Sequence, residues 1–327
     1  MTILVLGDAN ADLSAALLRF PTEGDDSQIT ALGWGSGGGA TNVAAALALL
    51  GAPVRLLARV GRDPAAEIAL RVARAAGADL TAVQFDDMLA TGLCFAAVSP
   101  GGERTFFSYR GANVSFEFGP AQNSQLDGAN WLHISGYALL EGRQRAATLA
   151  LIDIASARDI PISLDVCLPQ LRAWRDETLA LLPRLRILFT NAPELALLTA
   201  VNTEPDTITN VLGESGAVAL EPLLKRGVGT IAVKLGPHGC LTANAGTRHY
   251  TPAFAVDAVD TNGCGDAFVA GYLFAHLRAA AVEHCATLAN ALGALQATCL
   301  GAAEALPNRA TLRAFLKQHN SVSWLLA

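Results

Sequence analysis

The sequence predicts an α/β protein built on a mostly parallel β-sheet. Strand-like and helix-like segments alternate along most of the 327 residues. Several strand-like segments, such as residues 3–6 and 231–233, are almost wholly apolar. Such runs are typical of strands that are covered on both faces of a sheet. Alternation over this length favours a doubly wound sheet with helices on both sides.

The elements can be assigned in chain order from these patterns. Apolar runs predict strands at 3–7, 54–60, 131–134, 161–165, 187–189 and 230–234. Helical patterns predict helices at 41–50, 64–75, 143–157 and 193–199, and near 264–278, 282–300 and 309–318.

Two segments, residues 11–33 and 91–114, interrupt the alternation. The second contains two short strand-like runs, 94–98 and 105–109, on either side of the turn sequence Pro-Gly-Gly-Glu at 100–103. This order predicts a hairpin. We expect both segments to form a small sheet that projects as a lid from a single domain spanning residues 1–327.

Composition limits the function classes. Hydrophobic residues make up 52% and charged residues 16% of the chain, which is enough for a large core. The formal net charge of −6 argues against a nucleic-acid partner, which requires a basic face. The uncharged run at 285–303 contains several polar side chains, so we expect a buried helix there and no membrane association.

Cysteine usage and the N-terminal sequence indicate a cytoplasmic protein. The six cysteines contain no Cys-x-x-Cys pair and are scattered, so we interpret them as reduced thiols. The first residues lack a basic segment and are typical of a buried strand, not of a signal peptide.

A glycine-rich turn at 260–268, Asp-Thr-Asn-Gly-Cys-Gly-Asp-Ala-Phe, is the most informative motif. Gly263 and Gly265 allow a tight turn, and the backbone amides would lie at the start of a helix, where an anion is favoured. Asp266 follows in the first turn. A carboxylate beside an anion-binding turn suits phosphoryl transfer to an alcohol, because it can accept the hydroxyl proton. The alternative interpretation is an ordinary capped helix.

This turn resembles the C-terminal signature of the ribokinase-like (PfkB) carbohydrate kinase family. The sequence Gly-Gly-Gly-Ala-Thr-Asn-Val-Ala at 37–44 resembles the N-terminal signature of the same family, and the similarity extends over about residues 2–318. The resemblance implies a three-layer αβα sandwich around a mostly parallel sheet, a small β-sheet lid, ATP as the phosphoryl donor and Mg²⁺ as its helper.

The resemblance also implies roles for individual residues. Asp266 would be the general base, and the amides of Gly263, Cys264 and Gly265 would bind the anion. The residues implied at the sugar are Asn10, Asp12, Gly38 and Asn42, whose carboxylate and amide groups suit adjacent hydroxyls.

Three further segments resemble family motifs on the nucleotide side. Asn191 and Glu194 match a motif that helps to place Mg²⁺ through water, although the same residues form an ordinary helix cap. The segment Lys234-Leu-Gly-Pro-His-Gly resembles a turn beneath the nucleotide, where Gly236 and Gly239 let ATP approach the backbone. Asn290 aligns with a position near the adenine, and without the resemblance it would be a buried polar residue of a helix.

Some positions depart from the family pattern or stay open. Arg110 follows the second lid strand and would either clamp a substrate or be a surface charge. Cys167, in Asp165-Val-Cys, replaces an asparagine of the family. Asp260 resembles part of a loop that binds a monovalent cation, but Ala305 stands where a serine is common, which leaves activation by K⁺ open.

The motifs of rival functions are incomplete or missing in this sequence. Gly-x-Gly-x-x-Gly at 33–38 fits a dinucleotide fingerprint but does not follow the first strand, and no acidic residue ends the next one. The chain has no Gly-Lys pair for a P-loop, and its six histidines lack metal-ligand spacing.

The sequence therefore predicts an ATP-dependent kinase of a small-sugar hydroxyl, with the primary hydroxyl expected. A neutral ketose or hexose, an acidic sugar such as 2-keto-3-deoxygluconate and a nucleoside are the open acceptors. A catalytically silent sugar-binding protein of the same fold is the alternative without enzymatic activity. Exposed lid edges would also offer a surface for a homodimer.

Overall fold

The computed structural model describes residues 2–101, 103–200, 215–299, 301 and 303–322. Its strands are β1 (Thr2–Leu6), β2 (Asn10–Leu17), β3 (Ile29–Gly37), β4 (Val54–Leu57), β5 (Arg59–Gly61), β6 (Gln84–Asp86), β7 (Gly92–Val98), β8 (Arg104–Tyr109), β9 (Ala129–Ser135), β10 (Ile162–Asp165), β11 (Ile187–Asn191), β12 (Thr230–Lys234), β13 (Cys240–Asn244) and β14 (Arg248–Thr251).

The α-helices of the described part are α1 (Gly39–Leu49), α2 (Pro64–Ala75), α3 (Gly142–Ala157), α4 (Leu168–Leu181), α5 (Ala192–Thr199), α6 (Ser215–Lys225), α7 (Cys264–His276), α8 (Val282–Ala297) and α9 (Arg309–Gln318).

Eight strands form the larger sheet, in the order β14-β13-β12-β11-β10-β9-β1-β4. The six strands from β12 to β4 are parallel, and β13 pairs antiparallel with both of its neighbours. Apolar side chains of β1 alternate between two core clusters: Ile3 and Val5 belong to one, Leu4 and Leu6 to the other. Both faces of the sheet are therefore buried, which confirms the predicted three-layer arrangement.

A smaller sheet of four strands has the order β3-β2-β7-β8. β2 pairs antiparallel with β3 and parallel with β7, and β7 pairs antiparallel with β8, as expected for the predicted hairpin. β2 begins four residues after β1 ends, so one continuous stretch of chain passes from the core sheet into the smaller sheet. A third sheet contains only β5 and β6.

Several predicted boundaries were wrong. The single strand predicted at 54–60 is divided between β4 and β5, which belong to different sheets. The chain leaves the large sheet at Ala58, whose carbonyl accepts a hydrogen bond from the Gln84 N–H instead (2.9 Å). α7 and α8 end at His276 and Ala297, before the predicted ends. The sequence patterns did not predict α4, α6, β13 or β14.

The run at 285–303 lies mainly within α8, which packs against α7. Nine residues of α8 are buried, and they include the polar side chains of Asn290 and Gln296. Within the described ranges, no helix is long and apolar enough to cross a membrane.

Candidate active site

The candidate active site lies where the parallel strands of the large sheet end. Asp165, Asn191 and Lys234 are the last residues of three adjacent strands, β10, β11 and β12. Asp8 follows β1, and the turn at 260–263 leads into α7. The carboxyl edge of an open parallel sheet is the usual place for a ligand in such folds, because neighbouring strand ends and helix starts meet there.

The glycine-rich turn has the conformation that the sequence predicts. Gly263 caps α7 in the left-handed region (φ 72°, ψ −3°), which glycine adopts without strain. The Cys264 N–H donates to the Thr261 carbonyl (3.3 Å), so this amide also closes a hydrogen bond within the turn. Gly265 and Asp266 occupy the first turn of α7, where amide groups lack carbonyl partners within the helix and the helix dipole attracts an anion.

The carboxyl group of Asp266 is half-buried and oriented by Asn42. Asn42 lies in the first turn of α1, and its Nδ2 donates to Asp266 Oδ2 (2.7 Å). Burial raises the pKa of Asp266 to about 6, against the lowering effect of the Asn42 hydrogen bond and of Lys234. A base with this pKa is largely ionised at neutral pH and still binds a proton well, which suits proton abstraction from a hydroxyl.

Lys234 places a positive charge beside the anion-binding turn. Its Nζ donates to both oxygens of Asp165 (2.6 and 2.8 Å). A β-carbon added at Gly265 would lie 3.5 Å from this Nζ, so the ammonium group is adjacent to the turn. Burial alone lowers the pKa of Lys234, but Asp165 and Glu194 outweigh it and raise the pKa above its ordinary value. The ammonium group therefore remains charged.

Asn191 and Glu194 form a capping box at the start of α5. The Glu194 N–H donates to Asn191 Oδ1 (2.9 Å), and the Asn191 N–H donates to Glu194 Oε2 (2.8 Å). The Glu194 side chain is buried, which raises its pKa above the ordinary range; Lys234 opposes this shift and Asp165 adds to it. The helix-capping interpretation is thus correct for these contacts, and it leaves a carboxyl group fixed at the strand ends.

Asp12 and Asn42 present unsatisfied acceptors near Asp266. Asp12 Oδ1 and Asn42 Oδ1 are buried atoms without a hydrogen-bond partner among the described residues. Burial raises the pKa of Asp12 to about 7, and the charge of Asp266 adds to the shift. A β-carbon at Gly37 would lie 2.1 Å from Asp12 Oδ1, so only glycine permits this position of the carboxylate. Unsatisfied buried acceptors are costly, and ligand hydroxyls would relieve that cost.

Asn10 and Gly38 border the same region. Asn10 Oδ1 accepts from Asn113 Nδ2 (2.8 Å), and Asn113 Oδ1 accepts from the Ala9 N–H (3.0 Å). Gly38 has φ 91°, and a β-carbon there would meet the Asp8 carbonyl oxygen at 2.3 Å. The glycine therefore lets the start of α1 lie directly against the segment that joins β1 to β2.

Arg110 is neither a surface charge nor an unpaired cation. Its side chain is only 12% exposed, and its Nε and Nη2 donate to both oxygens of Asp8 (2.8–3.2 Å). Nη2 also donates to Gln144 Oε1 (2.5 Å), and Nη1 contacts Glu141 Oε1 (3.4 Å). Two carboxylates of the protein itself therefore balance this guanidinium group.

The two glycines of the turn after β12 both have positive φ angles. Gly236 has φ 57° and Gly239 has φ 94°. A β-carbon at Gly236 would meet no atom within 4 Å, which leaves space above that backbone. Asn290 Nδ2 donates to the carbonyls of Thr251 and Pro252 (both 3.0 Å), so its contacts are those of a buried polar residue that joins α8 to the end of β14.

Asp260 is paired with an arginine that the sequence analysis did not single out. Arg104, at the start of β8, donates from Nη1 to Asp260 Oδ1 (2.6 Å). The Asn262 N–H donates to the same oxygen (2.7 Å), and the Gly301 N–H donates to Oδ2 (2.9 Å). Donors thus surround a carboxylate that the family resemblance would assign to a monovalent cation, and these contacts do not fit such an ion.

The structure brings most of the predicted residues together and adds four. Asp8, Asp165 and Arg104 complete ion pairs with residues of the site, and Asn113 supports Asn10. Arg104 belongs to no motif, so its sequence position gave no signal, whereas Asp165 lies in the Asp165-Val-Cys segment that was compared with a family motif. An acidic residue at the end of a buried strand or shortly after it, as at 165 and 8, is a pattern that could have suggested two of them.

The fold and the site define a phosphotransferase that acts on an alcohol group. Comparison with family models gives a match to the pfkB family carbohydrate kinases over residues 2–309. The chain belongs to this family, and it is a sugar or nucleoside kinase.

Individual relatives support the same class. The chain is 30% identical to a fructokinase of Klebsiella pneumoniae, with 95% of this chain and 98% of the relative covered. It is 29% identical to an ATP-dependent ribose-1-phosphate kinase of Halopiger xanaduensis, with 97% and 98% covered. The crystal structure of a putative ribokinase II from E. coli in complex with ATP and Mg²⁺ superimposes with a TM-score of 0.81 at 22% identity, with 97% and 99% covered.

Proposed function

We propose that the protein transfers the γ-phosphoryl group of ATP to a hydroxyl, expected to be primary, of a small neutral sugar. The observation that carries this proposal is the pair of buried, unsatisfied acceptors, Asp12 Oδ1 and Asn42 Oδ1, near the Asp266 carboxyl group. Adjacent hydroxyls of a sugar would donate to these acceptors. The same contacts would bring one hydroxyl to Asp266.

In the proposed reaction, Asp266 is the general base and accepts the proton of the attacking hydroxyl. Asn42 holds the carboxylate in position through its 2.7 Å hydrogen bond. The amides of Gly263, Cys264 and Gly265 and the ammonium group of Lys234 would stabilise the negative charge on the transferred phosphoryl group. Asp165 keeps this ammonium charged and in place.

ATP would lie over the turn of Gly236 and Gly239, where the open space above Gly236 lets a ligand approach the backbone. Mg²⁺ would neutralise charge on the phosphates. Because Mg²⁺ in proteins usually keeps several waters and binds through few carboxylates, the single buried carboxyl group of Glu194, fixed by Asn191, suits contact through water. We infer that Asn290 acts on the nucleotide side by holding the 251–252 segment.

The charge balance of Arg110 favours a neutral sugar over an acidic one. A substrate carboxylate would need a guanidinium group with unpaired donors. In Arg110, the Nε and Nη2 groups already donate to the carboxylate of Asp8. A third carboxylate at this position would be attracted by the one guanidinium group and repelled by the two carboxylates of Asp8 and Glu141. The repulsion would exceed the attraction. We therefore assign Arg110 to the support of the sugar pocket through Asp8.

An ADP-release assay with a panel of acceptors tests the proposal. The panel contains neutral ketoses and pentoses, 2-keto-3-deoxygluconate, sugar phosphates and nucleosides. A neutral sugar should give the highest kcat/KM, and Asp266→Asn should lower the rate about 10²–10⁴-fold. The control is Asp257→Asn, a change at an exposed aspartate shortly before the turn.

Three outcomes would contradict the proposal. A preference for an acidic sugar or a nucleoside would overturn the substrate assignment and leave the kinase class intact. Full activity of Asp266→Asn would overturn the mechanism. Binding of sugar without ADP release from any acceptor would instead indicate a silent binding protein.

We also propose that the four-stranded sheet is a lid and that it joins two copies of the chain. One row of apolar side chains crosses all four strands: Trp34, Leu13, Phe95 and Phe107 are direct cross-strand neighbours. Asp12 lies on the opposite face. Trp34 and Phe107 are 45% and 54% exposed, which leaves a patch that a second copy would cover. A monomer in sedimentation experiments at micromolar concentration would refute the dimer.

Finally, we propose a cytoplasmic location. All six cysteines are free thiols, which suits a reducing compartment. Recovery of the protein from the periplasmic or extracellular fraction of its host would contradict this assignment.

A further inference from the structure

The carboxylate of Asp260 joins three separate segments of the chain. Its oxygens accept hydrogen bonds from Asn262 in the turn itself, from Gly301 after α8, and from Arg104 in the smaller sheet. The backbone amide of Asp260 also donates to the Ala297 carbonyl (3.1 Å). This residue is thus the point at which the glycine-rich turn is attached to its surroundings.

Such a carboxylate needs a positive charge. Asp260 is only 5% exposed, and an unpaired buried carboxylate would cost several kcal/mol. Arg104 supplies the charge from a distance of 2.6 Å, with 21% of its own side chain exposed. A second cation at the same oxygen would be repelled by the guanidinium group, since two unit charges a few ångströms apart interact strongly in a protein interior.

The position of Arg104 connects this ion pair to the sugar side of the site. Arg104 opens β8 and shares the face of the smaller sheet that carries Asp12, as the cross-strand pairs show. Asp260 begins the turn that presents the amides of Gly263 to Gly265. The ion pair therefore holds the smaller sheet and the anion-binding turn in one fixed relation.

We propose that Arg104 is a positioning residue: its guanidinium group serves as a built-in cation for the glycine-rich turn and makes the reaction independent of K⁺. The inference rests on the proposed phosphoryl transfer at Asp266. Arg104 acts through Asp260 on the placement of the amides, and these amides contribute only when the smaller sheet is closed on the core. The glycine-rich turn thus has its full set of contacts, with Arg104 paired to Asp260, once the lid is in place.

The test compares the wild type with Arg104→Ala and Arg104→Lys. The matched control is Arg19→Ala, which removes another arginine–aspartate pair that lies entirely within the β2–β3 segment. Steady-state rates are measured at equal ionic strength in potassium, sodium and tetramethylammonium chloride. Thermal unfolding of each protein is followed in the same salts, as a readout that does not depend on activity.

We expect the wild type and Arg19→Ala to give equal rates in all three salts. Arg104→Ala should lose about 10²-fold in kcat, with smaller changes in the KM for sugar, because a displaced turn misplaces the phosphoryl group. Millimolar guanidinium chloride or K⁺ should restore part of this rate. K⁺ should raise the unfolding temperature of Arg104→Ala above its value in sodium, and should leave that of the wild type unchanged.

A wild-type rate several-fold higher in K⁺ than in the other salts would overturn the proposal, as would an Arg104→Ala variant as active as Arg19→Ala. If Arg104→Ala does not fold, Arg104→Lys and the salt dependence of the wild type decide the question. Asp266→Asn serves as the reference: if its rate falls as expected and Arg104→Ala keeps the rate of Arg19→Ala, the role of Arg104 fails while the proposed function stands.

Discussion

The core end and the lid end of the site differ in how their charged groups are balanced. At the core end, Lys234 is paired with Asp165, and the Asp266 carboxylate accepts a hydrogen bond from Asn42. At the lid end, Asp12 is half-buried, and its buried Oδ1 has no hydrogen-bond partner among the described residues. The charged groups of the core end therefore have protein partners before any ligand arrives, whereas Asp12 Oδ1 at the lid end, like the neutral Asn42 Oδ1 on α1, has none among the described residues. Under the proposed function, this difference assigns the chemistry to the core end and the recognition of the sugar to the lid end.

The largest effect that would sharpen this comparison is expected at Lys234. Lys234→Met should lower kcat about 10²–10³-fold with little change in the KM for sugar, because the variant loses a fixed charge beside the transferred group. Steady-state kinetics with varied sugar and varied ATP would separate these constants. The control is Lys225→Met, since Lys225 is exposed and pairs only weakly with Glu221 (3.7 Å). A large rise in the KM for sugar would show that the core end also recognises the acceptor.

Asp12 should give the opposite pattern. Asp12→Asn should lower kcat/KM for sugar about 10–100-fold through the loss of charge-assisted hydrogen bonds, and should leave the KM for ATP unchanged. The control is Asp87→Asn, at an exposed carboxylate outside the site. An unchanged kcat/KM for sugar would remove Asp12 from recognition.

The same variant should be more stable than the wild type at alkaline pH. The pKa of Asp12 rises on folding from an ordinary value of 3.8 to about 7, so folding favours its protonated form. The resulting stability is present below pH 3.8 and is lost as the pH rises through 7. Without sugar, Asp12→Asn should therefore unfold several degrees above the wild type at pH 8 and at nearly the same temperature at pH 4. Equal unfolding temperatures at pH 8 would contradict this account.

The smallest effect concerns the motion of the lid. Sugar binding should increase the protection from hydrogen exchange of amides in β7 and β8, because closure excludes water from the site. The amides of β9 and β10 serve as the internal reference and should not change. Equal protection of the lid strands with and without sugar would mean that the lid does not close.

The sequence predicted the core of this site better than its surroundings. The turn at 260–266 and the cap at Asn191 are local, so their residues and spacing could be interpreted directly. Arg104 and Asp260 lie 156 positions apart, and only the packing of the smaller sheet against the core brings them together. The role of Arg110 was undecidable for the same reason: its partner, Asp8, is 102 positions away.

The fold shows the same division between local and distant information. α2 has the predicted bounds, since Asp63 and Pro64 mark its start in the sequence. β13 and β14 were missed because they are short and mixed in polarity. Their place at the sheet edge follows from pairing with β12, which the sequence pattern alone does not specify.

The hydrogen bond between Asn42 and Asp266 also has a consequence for synthesis of the protein. Its partners are 224 positions apart, so a ribosome that adds about 5–20 residues per second completes Asp266 roughly 10–45 s after Asn42. During that interval β7 and β8 are added to the chain, and the smaller sheet and α1 precede the turn at 260–263. The apolar row of the smaller sheet, with Trp34, Phe95 and Phe107, emerges in the same interval, before a second copy of the chain could cover it. Chaperone binding during translation should therefore concentrate on the first hundred residues.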